Sequence, residues 1–507
     1  MKKSTKKYSF ILRAEFITLF LLVFSKIIYF FCLEIKCTAD SYEYIARNGF
    51  DVFSGVIDRY RLPVYPVLID LCTHLFEDNY LLALCYFQLV LSLVSIVLLY
   101  ITMKNLTEHG FINLSVTTLY VLCNAVIGWD KTILTESLSL SLTVIIAWGV
   151  ILYLKKNSKK AIIIAVVAAT IGCFLRAVFA IYAGLILGFL ILRLIFPGKN
   201  LEKSAIKTQR LSNLKCTAIA VVPVILLMLY AGGFYQQYGA FTLSDSGLGQ
   251  QVTVVLATGY YLGSPDEEIK EVADVFLNST SQETLSVEIE KSIDSIYKKC
   301  SLTEEEKETL EKMMFEYYNP DIILAEAYEK EMNTYFSKLY ENDFTCDDAG
   351  SLYMARCYIM NNFSRERINT FVSKCKKDNI KSYVLDFYKN ATEEFNSYKT
   401  PLTSTIASLL NDFFNSVVFF FRITLLHGII IGFLELVIFV VVLVRKKFTD
   451  WLHLGLAGFI LSTAVLSILG TNAEFARTSI TMIPFMFISV GLWINLLYTK
   501  FICKNKD

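Results

Sequence analysis

Acids and arginines placed between long apolar runs are the residues of this chain that could do chemistry. The stretch Thr38–Pro66, TADSYEYIARNGFDVFSGVIDRYRLPVYP, holds Asp40, Tyr44, Arg59, Arg61 and Tyr65. WDKTILTE adds Lys131 and Glu136, FLRAVFA adds Arg176, and NAEFARTS adds Glu474 and Arg477. A carboxylate can take a proton from a hydroxyl as general base. A guanidinium stays charged and offers forked donors that match phosphate oxygens. An acid with several arginines therefore suits transfer of a group from a phosphate to a hydroxyl. Asp40 is the candidate base, and Arg61, Arg176 and Arg477 are the candidate phosphate holders. Tyr44, Arg59, Tyr65, Lys131, Glu136 and Glu474 are candidate supporting groups. The blander reading is that each charge only marks the end of an apolar segment. A charge at mid-membrane costs on the order of 2.5–3.5 kcal/mol on insertion scales, and less at the interface.

These residues need elements to position them, and the composition says which. Of 507 residues 54% are hydrophobic and only 19% charged, with a mean hydropathy of +0.48. Open strands cannot cross lipid, so the apolar runs read as helices. They predict an all-α polytopic membrane protein with about ten transmembrane helices. The expected spans are 16–33, 80–103, 111–128, 137–154, 161–175, 177–196, 216–234, 428–444, 452–470 and 480–499. The apolar tail VYPVLIDLCTHLF and the stretch ASLLNDFFNSVVFFFRITLLHG read as interfacial helices. The first span lacks a small-residue cleavage site and reads as retained. Lysine- and arginine-rich connections put both termini in the cytoplasm and the candidate site residues on the outer face. The chain thus divides into an N-terminal transmembrane half (1–234) with a first outer loop (34–79), an inserted extracytoplasmic helical domain (235–405) and C-terminal transmembrane helices (406–507). In the inserted domain SLTEEEKETLEKMMFEYY starts with a serine-threonine cap and acids and then shows helical periodicity. The basic residues sit in loops beside spans, so the charge pattern gives no sign of a nucleic-acid partner.

Three further readings concern residues away from the turns. Cys300, Cys346, Cys357 and Cys375 lie in the inserted domain, where one or two disulfides could form if it is extracytoplasmic. His74 and His427 stand outside ligand spacing, and no metal is assigned. Lys26 in the first span and Glu435 in the eighth both lie roughly 10 Å from their outer ends, at 1.5 Å per residue. That equal depth allows an ion pair between them, with lysine snorkelling as the plain alternative.

The motifs also carry a resemblance. DSYEYIA followed by RLPVYPVLI resembles the first outer loop of the GT-C superfamily of polyprenyl-phosphate-sugar-dependent glycosyltransferases. It is most similar to the bacterial branch of protein O-mannosyltransferases and lipid A aminoarabinose transferases. The matching positions are Asp40, Tyr44, Ala46, Arg61, Pro63, Tyr65 and Pro66. TESLSLSL matches the family's second outer loop at Glu136, FLRAVFA its arginine at Arg176, and EFARTSITMIP its late E-x-x-R motif at Glu474, Arg477 and Pro484. The resemblance implies a plasma-membrane enzyme of bacterial type that moves a hexosyl or pentosyl group from a polyprenyl-phosphate donor to a lipid, glycan or protein acceptor of the cell envelope. It implies Asp40 as the catalytic base and inversion at the anomeric carbon. Some relatives use a divalent metal and others none. Many carry their soluble domain after the last span, whereas this chain inserts it. Two rivals remain: a polysaccharide polymerase, which should place its key arginines in the large outer segment, and a non-enzymatic flippase or transporter. The latter should show paired Gly/Pro-broken spans in matching halves, and no such repeat is seen.

Overall fold

The computed structural model describes residues 2–45, 47–195, 203–278, 352, 355–356, 359–360, 362–392, 423–446, 451–470 and 475–503. These residues are helical almost throughout, and the only sheet-like pairing described is one parallel bridge between Lys36 and Thr132. The first half holds α1 (Lys2–Phe31), α2 (Ala39–Ile45), α3 (Val64–Phe76), α4 (Tyr80–Leu106), α5 (Gly110–Leu122), α6 (Asn124–Ile127), α7 (Glu136–Lys156), α8 (Lys159–Cys173), α9 (Val178–Ile195) and α10 (Lys203–Tyr238). Then come α11 (Ser246–Ala257), α12 (Glu267–Asn278), α13 (Arg365–Asp378) and α14 (Ile380–Ala391). The chain closes with α15 (Leu425–Lys446), α16 (Trp451–Gly470), α17 (Phe475–Thr478) and α18 (Ile483–Tyr498).

The protein is a polytopic helical membrane protein. Among the described residues eight helices are long and apolar enough to cross a bilayer. They coincide with eight of the ten expected spans, and the other two differ in an informative way. The third is bent by 77° between α5 and the segment Ala125–Lys131. The fifth, α8, has 15 residues, roughly 22 Å of helix against a hydrocarbon core of about 30 Å. The bend leaves carbonyls at the end of α6 without helical partners. Lys26 fills that gap: its Nζ donates to the Ile127 carbonyl at 3.2 Å and to the Val126 carbonyl at 3.5 Å. It also pairs with Asp130 at 3.0 Å. The expected Lys26–Glu435 pair is therefore wrong. Glu435 is instead hydrogen-bonded to His453 within the α15–α16 hairpin. Equal depth along two helices says nothing of whether they are neighbours, and α1 packs on α4 and α5.

Helix α7 is the centre of the bundle. In its most apolar stretch 78% of residues are buried, against 17% for α15. Gly149 lets α8 approach, since a Cβ there would collide with the Ala161 carbonyl. The first residue of α7, Glu136, thus stands at the middle of one end of the bundle. The described part of the inserted segment, α11 to α14, is helical as expected and packs through α11 on α16, where Gln251 Nε2 donates to the Leu469 carbonyl at 3.0 Å. The run 301–318 and most of the second interfacial stretch lie outside the described residues. So do Cys300, Cys346 and Cys357, while Cys375 is buried and unbridged.

Lys26→Met should lower unfolding stability in detergent by about 3 kcal/mol, because it strands Asp130 in the bundle. Adding Asp130→Asn should restore part of that loss, and Glu435→Leu should show no coupling to Lys26→Met. Thermal denaturation of wild type, the three single variants and the two double variants checks this; additive losses for Lys26 and Asp130 would contradict it.

Candidate active site

The turn before α3 is built to present Arg61. Asp58 Oδ1 accepts from the backbone N–H groups of Tyr60 and Arg61 at 2.8 and 2.5 Å. Asp58 Oδ2 pairs with Arg47 at 3.0 Å. Side-chain oxygens that bond backbone two or three residues on are a standard way of fixing such turns. Arg61 then reaches Asp40, with Nη2 to Oδ1 at 2.8 Å. Its guanidinium lies 4.8 Å from the centre of the Tyr44 ring. Tyr44 meets Tyr65 edge to face at 5.0 Å. The Tyr65 hydroxyl donates to Gln88 Oε1 at 3.0 Å, and Gln88 Nε2 donates to the Asp130 and Thr132 carbonyls at 3.2 and 3.1 Å. A relay of packed polar groups thus connects Arg61 to the Trp129–Lys131 turn.

Arg477 is the hub. Its Nη1 pairs with Asp40 Oδ2, and its Nε donates to Glu136 Oε1 at 2.6 Å. Arg176 approaches the same Glu136 oxygen at 3.1 Å and donates from Nη2 to the Arg477 carbonyl at 3.2 Å. Glu136 is fully buried. Two carboxylates and three arginines from α2, the turn before α3, the first residue of α7, the α8–α9 junction and α17 therefore form one contiguous ion cluster. Burial opposes ionisation of Asp40, but Arg61 and Arg477 outweigh it and hold its carboxyl below the usual carboxylate range.

The cluster opens into a cavity of about 320 Å³. Asp40, Tyr44, Arg61, Arg176 and Arg477 line it from the short turns. Ser244, Ser246, Gly247, Gly249, Gln250 and Arg356 line it from the inserted segment. Four guanidiniums thus line the cavity beside one carboxylate, with Glu136 buried behind it, an excess of positive charge suited to a bound phosphate. Among the described residues no group of three or more His, Cys, Asp or Glu side chains is placed to hold a metal.

Three expected residues fall elsewhere, and a fourth is not among the described residues. Arg59 turns away from Asp40, donating to Asp245 Oδ2 at 2.9 Å and to the Met360 carbonyl at 2.9 Å. Arg59 and Arg61 stand two residues apart, and the bend between them, which Asp58 fixes through the backbone N–H groups of Tyr60 and Arg61, sends their guanidiniums to different acids. Lys131 is buried 4.5 Å from the Phe30 ring centre, away from the cluster. Tyr65 supports the site through Tyr44 rather than lining it. Glu474 lies outside the described residues. Sequence reading also missed groups. Asp58 had a signal, an acid directly before RYRLP. Asp245 had one too, a polar S-D-S-G run opening a helix. Arg356 had none.

No family model matches the chain, and no curated protein sequence does. Among solved structures, a protein O-mannosyltransferase complex of S. cerevisiae bound to its sugar donor aligns over 46% of this chain and 35% of its own, at 16% identity and a TM-score of 0.36. The oligosaccharyltransferase of Archaeoglobus fulgidus, in complex with an inhibitory peptide and a dolichol-phosphate, aligns over 97% of this chain and 51% of its own, at 9% identity and a TM-score of 0.43. The chain thus spans 35% and 51% of the length of these two neighbours. Both scores are low, and the cavity is read on its own geometry.

Asp40 should also leave a mark on stability. A carboxyl depressed in the folded state is charged there while the unfolded chain already binds protons, so its contribution is present above the ordinary carboxylate value and lost as pH falls. The stability gap between wild type and Asp40→Asn should stay level from pH 8 to about 5 and narrow below about 4. Denaturation in detergent across that range tests it, and a gap independent of pH would count against the ion pairs.

Proposed function

We propose that the chain is a membrane glycosyltransferase that moves a hexosyl or pentosyl group from a polyprenyl-phosphate donor to a cell-envelope acceptor (lipid, glycan or protein) at the extracytoplasmic face of a bacterial plasma membrane. One observation carries this reading: an ionised acid and four arginines share a cavity at one end of the bundle. The ordered resemblance of the motifs at Asp40, Glu136, Arg176 and Arg477 supports it.

In this reading Arg61, Arg176 and Arg477 hold the donor phosphate and Asp40 is the general base. The acceptor oxygen bonds to the anomeric carbon as the bond from that carbon to the phosphate oxygen breaks. The hydroxyl proton passes to Asp40, and polyprenyl phosphate leaves with the electron pair, inverting the centre. The resting geometry adds a control. With Arg61 and Arg477 on its two oxygens, Asp40 is a weak base. An arriving phosphate competes for the same guanidiniums and frees the carboxylate, raising its basicity as substrate binds.

Purified protein given labelled polyprenyl-phosphate sugars and membrane extract should transfer label, and Asp40→Asn should cut the rate by about a hundredfold or more. Wild-type transfer by Asp40→Asn would end the assignment. The pH profile tests the control. The acid limb of kcat/KM reports the free enzyme and that of kcat the complex, so the kcat limb should lie at higher pH; coincident limbs would refute it.

A second reading draws on Arg356, which lines the cavity from the long segment, as expected of a polysaccharide polymerase. A ladder of product lengths from one acceptor would favour it, and a single added sugar the first reading.

A further inference from the structure

The end of the bundle opposite the cavity holds a second cationic site. Arg193, in the last turn of α9, lies 17 residues from Phe179's neighbour Arg176 along the chain, and Tyr153 lies as far along α7 from Glu136. At 1.5 Å per residue this is roughly 26 Å from the acid cluster. The Arg193 guanidinium sits 5.0 Å from the Tyr153 ring centre and 5.9 Å from that of Phe189. Phe189 in turn meets Trp451 edge to face at 5.9 Å. The Tyr153 hydroxyl donates to Asn213 Oδ1 at 2.5 Å, and Asn213 Nδ2 donates to the Arg193 carbonyl at 3.4 Å. The three helices α7, α9 and α10 are thus locked around the arginine.

One nitrogen of the guanidinium is left without a partner. Arg193 Nη1 is buried and has no hydrogen-bond partner, and no carboxylate among the described residues pairs with it. The acid of the neighbouring hairpin, Glu435, is bonded to His453, and Glu15 to Lys104 and Tyr100. Ring faces attract a cation but accept only part of its hydrogen-bonding capacity. A half-buried arginine with one orphan N–H is costly unless an anion completes it. Lys155, Lys156, Lys159, Lys160 and Arg210 are exposed around the same end. Exposed apolar side chains flank the arginine on its own helix (Ile191 and Ile195) and on α10 (Leu211 and Leu214).

We propose that this end of the bundle is a binding site for an anionic phospholipid, whose phosphate completes Arg193. The lysines hold its headgroup, and its acyl chains lie along the exposed apolar residues of α9 and α10. The mixed lining selects a lipid over a free anion: an inorganic phosphate would gain the charge contacts but leave that apolar surface uncovered. This assignment is independent of the catalytic reading.

The test uses the full chain purified in detergent. Native mass spectrometry with phosphatidylglycerol and with phosphatidylcholine of the same acyl composition should show retained adducts with the anionic lipid only. Loss of one such cation weakens anionic-lipid binding by about fivefold, so Arg193→Gln should bind phosphatidylglycerol about that much more weakly. Arg193→Lys should keep the preference for phosphatidylglycerol, which guards against reading misfolding as lost binding. Melting curves add the third arm: phosphatidylglycerol should raise the melting temperature of the wild type and not that of Arg193→Gln. Equal binding of the two lipids by wild type, undiminished binding by Arg193→Gln, or an equal melting shift from inorganic phosphate would each overturn the proposal.

Discussion

One guanidinium shared between two carboxylates holds the described site together. Arg477 bonds Asp40 on one side and Glu136 on the other. Those acids come from separate parts of the first transmembrane half, one from the short helix after the first span and one from the head of the central helix. Glu136 could not sit fully buried alone, since an unpaired buried charge is strongly unfavourable. The arginine therefore fixes where α2 and α17 dock against α7. Arg176 completes the arrangement by holding both Glu136 and the backbone of Arg477 itself.

The same logic recurs wherever this bundle buries charge. Lys26 is tolerated deep in the first span because it meets Asp130 and two carbonyls that a bent helix leaves open. Glu435 is tolerated because His453 reaches it across a hairpin. For Lys26 the charge meets a local break in a neighbouring helix, whereas Glu435 lies inside the unbroken α15 and is met by a side chain of α16.

Much of this was legible in the sequence because hydrophobic length is a strong signal in membrane proteins. Eight spans, the head of α7 at Glu136 and the gathering of Asp40, Arg61, Arg176 and Arg477 all follow from run lengths and from which turns fall on one face. What was not legible depends on neighbours. Whether Lys26 meets Asp130 or Glu435 is decided by which helices touch, and depth along the chain carries no such information. Arg59 and Arg61 are both arginines in one loop, yet the bend between them sends the first to Asp245 and the second to Asp40. Arg356 reaches the cavity from more than a hundred residues beyond the nearest wall-forming stretch, with nothing local to announce it.

The Asp245 contact has a consequence for how the long segment relates to the rest. Asp245 is almost fully buried and takes Arg59 on one oxygen and Arg365 on the other. It pins both chain ends of the intervening insertion to the first loop, directly beside the residues that wall the cavity. With entry and exit anchored at one carboxylate, the cavity residues that lie between them in sequence, Ser246 to Gln250 and Arg356, share a single tether, so one acid decides whether the insertion contributes its wall to the cavity at all.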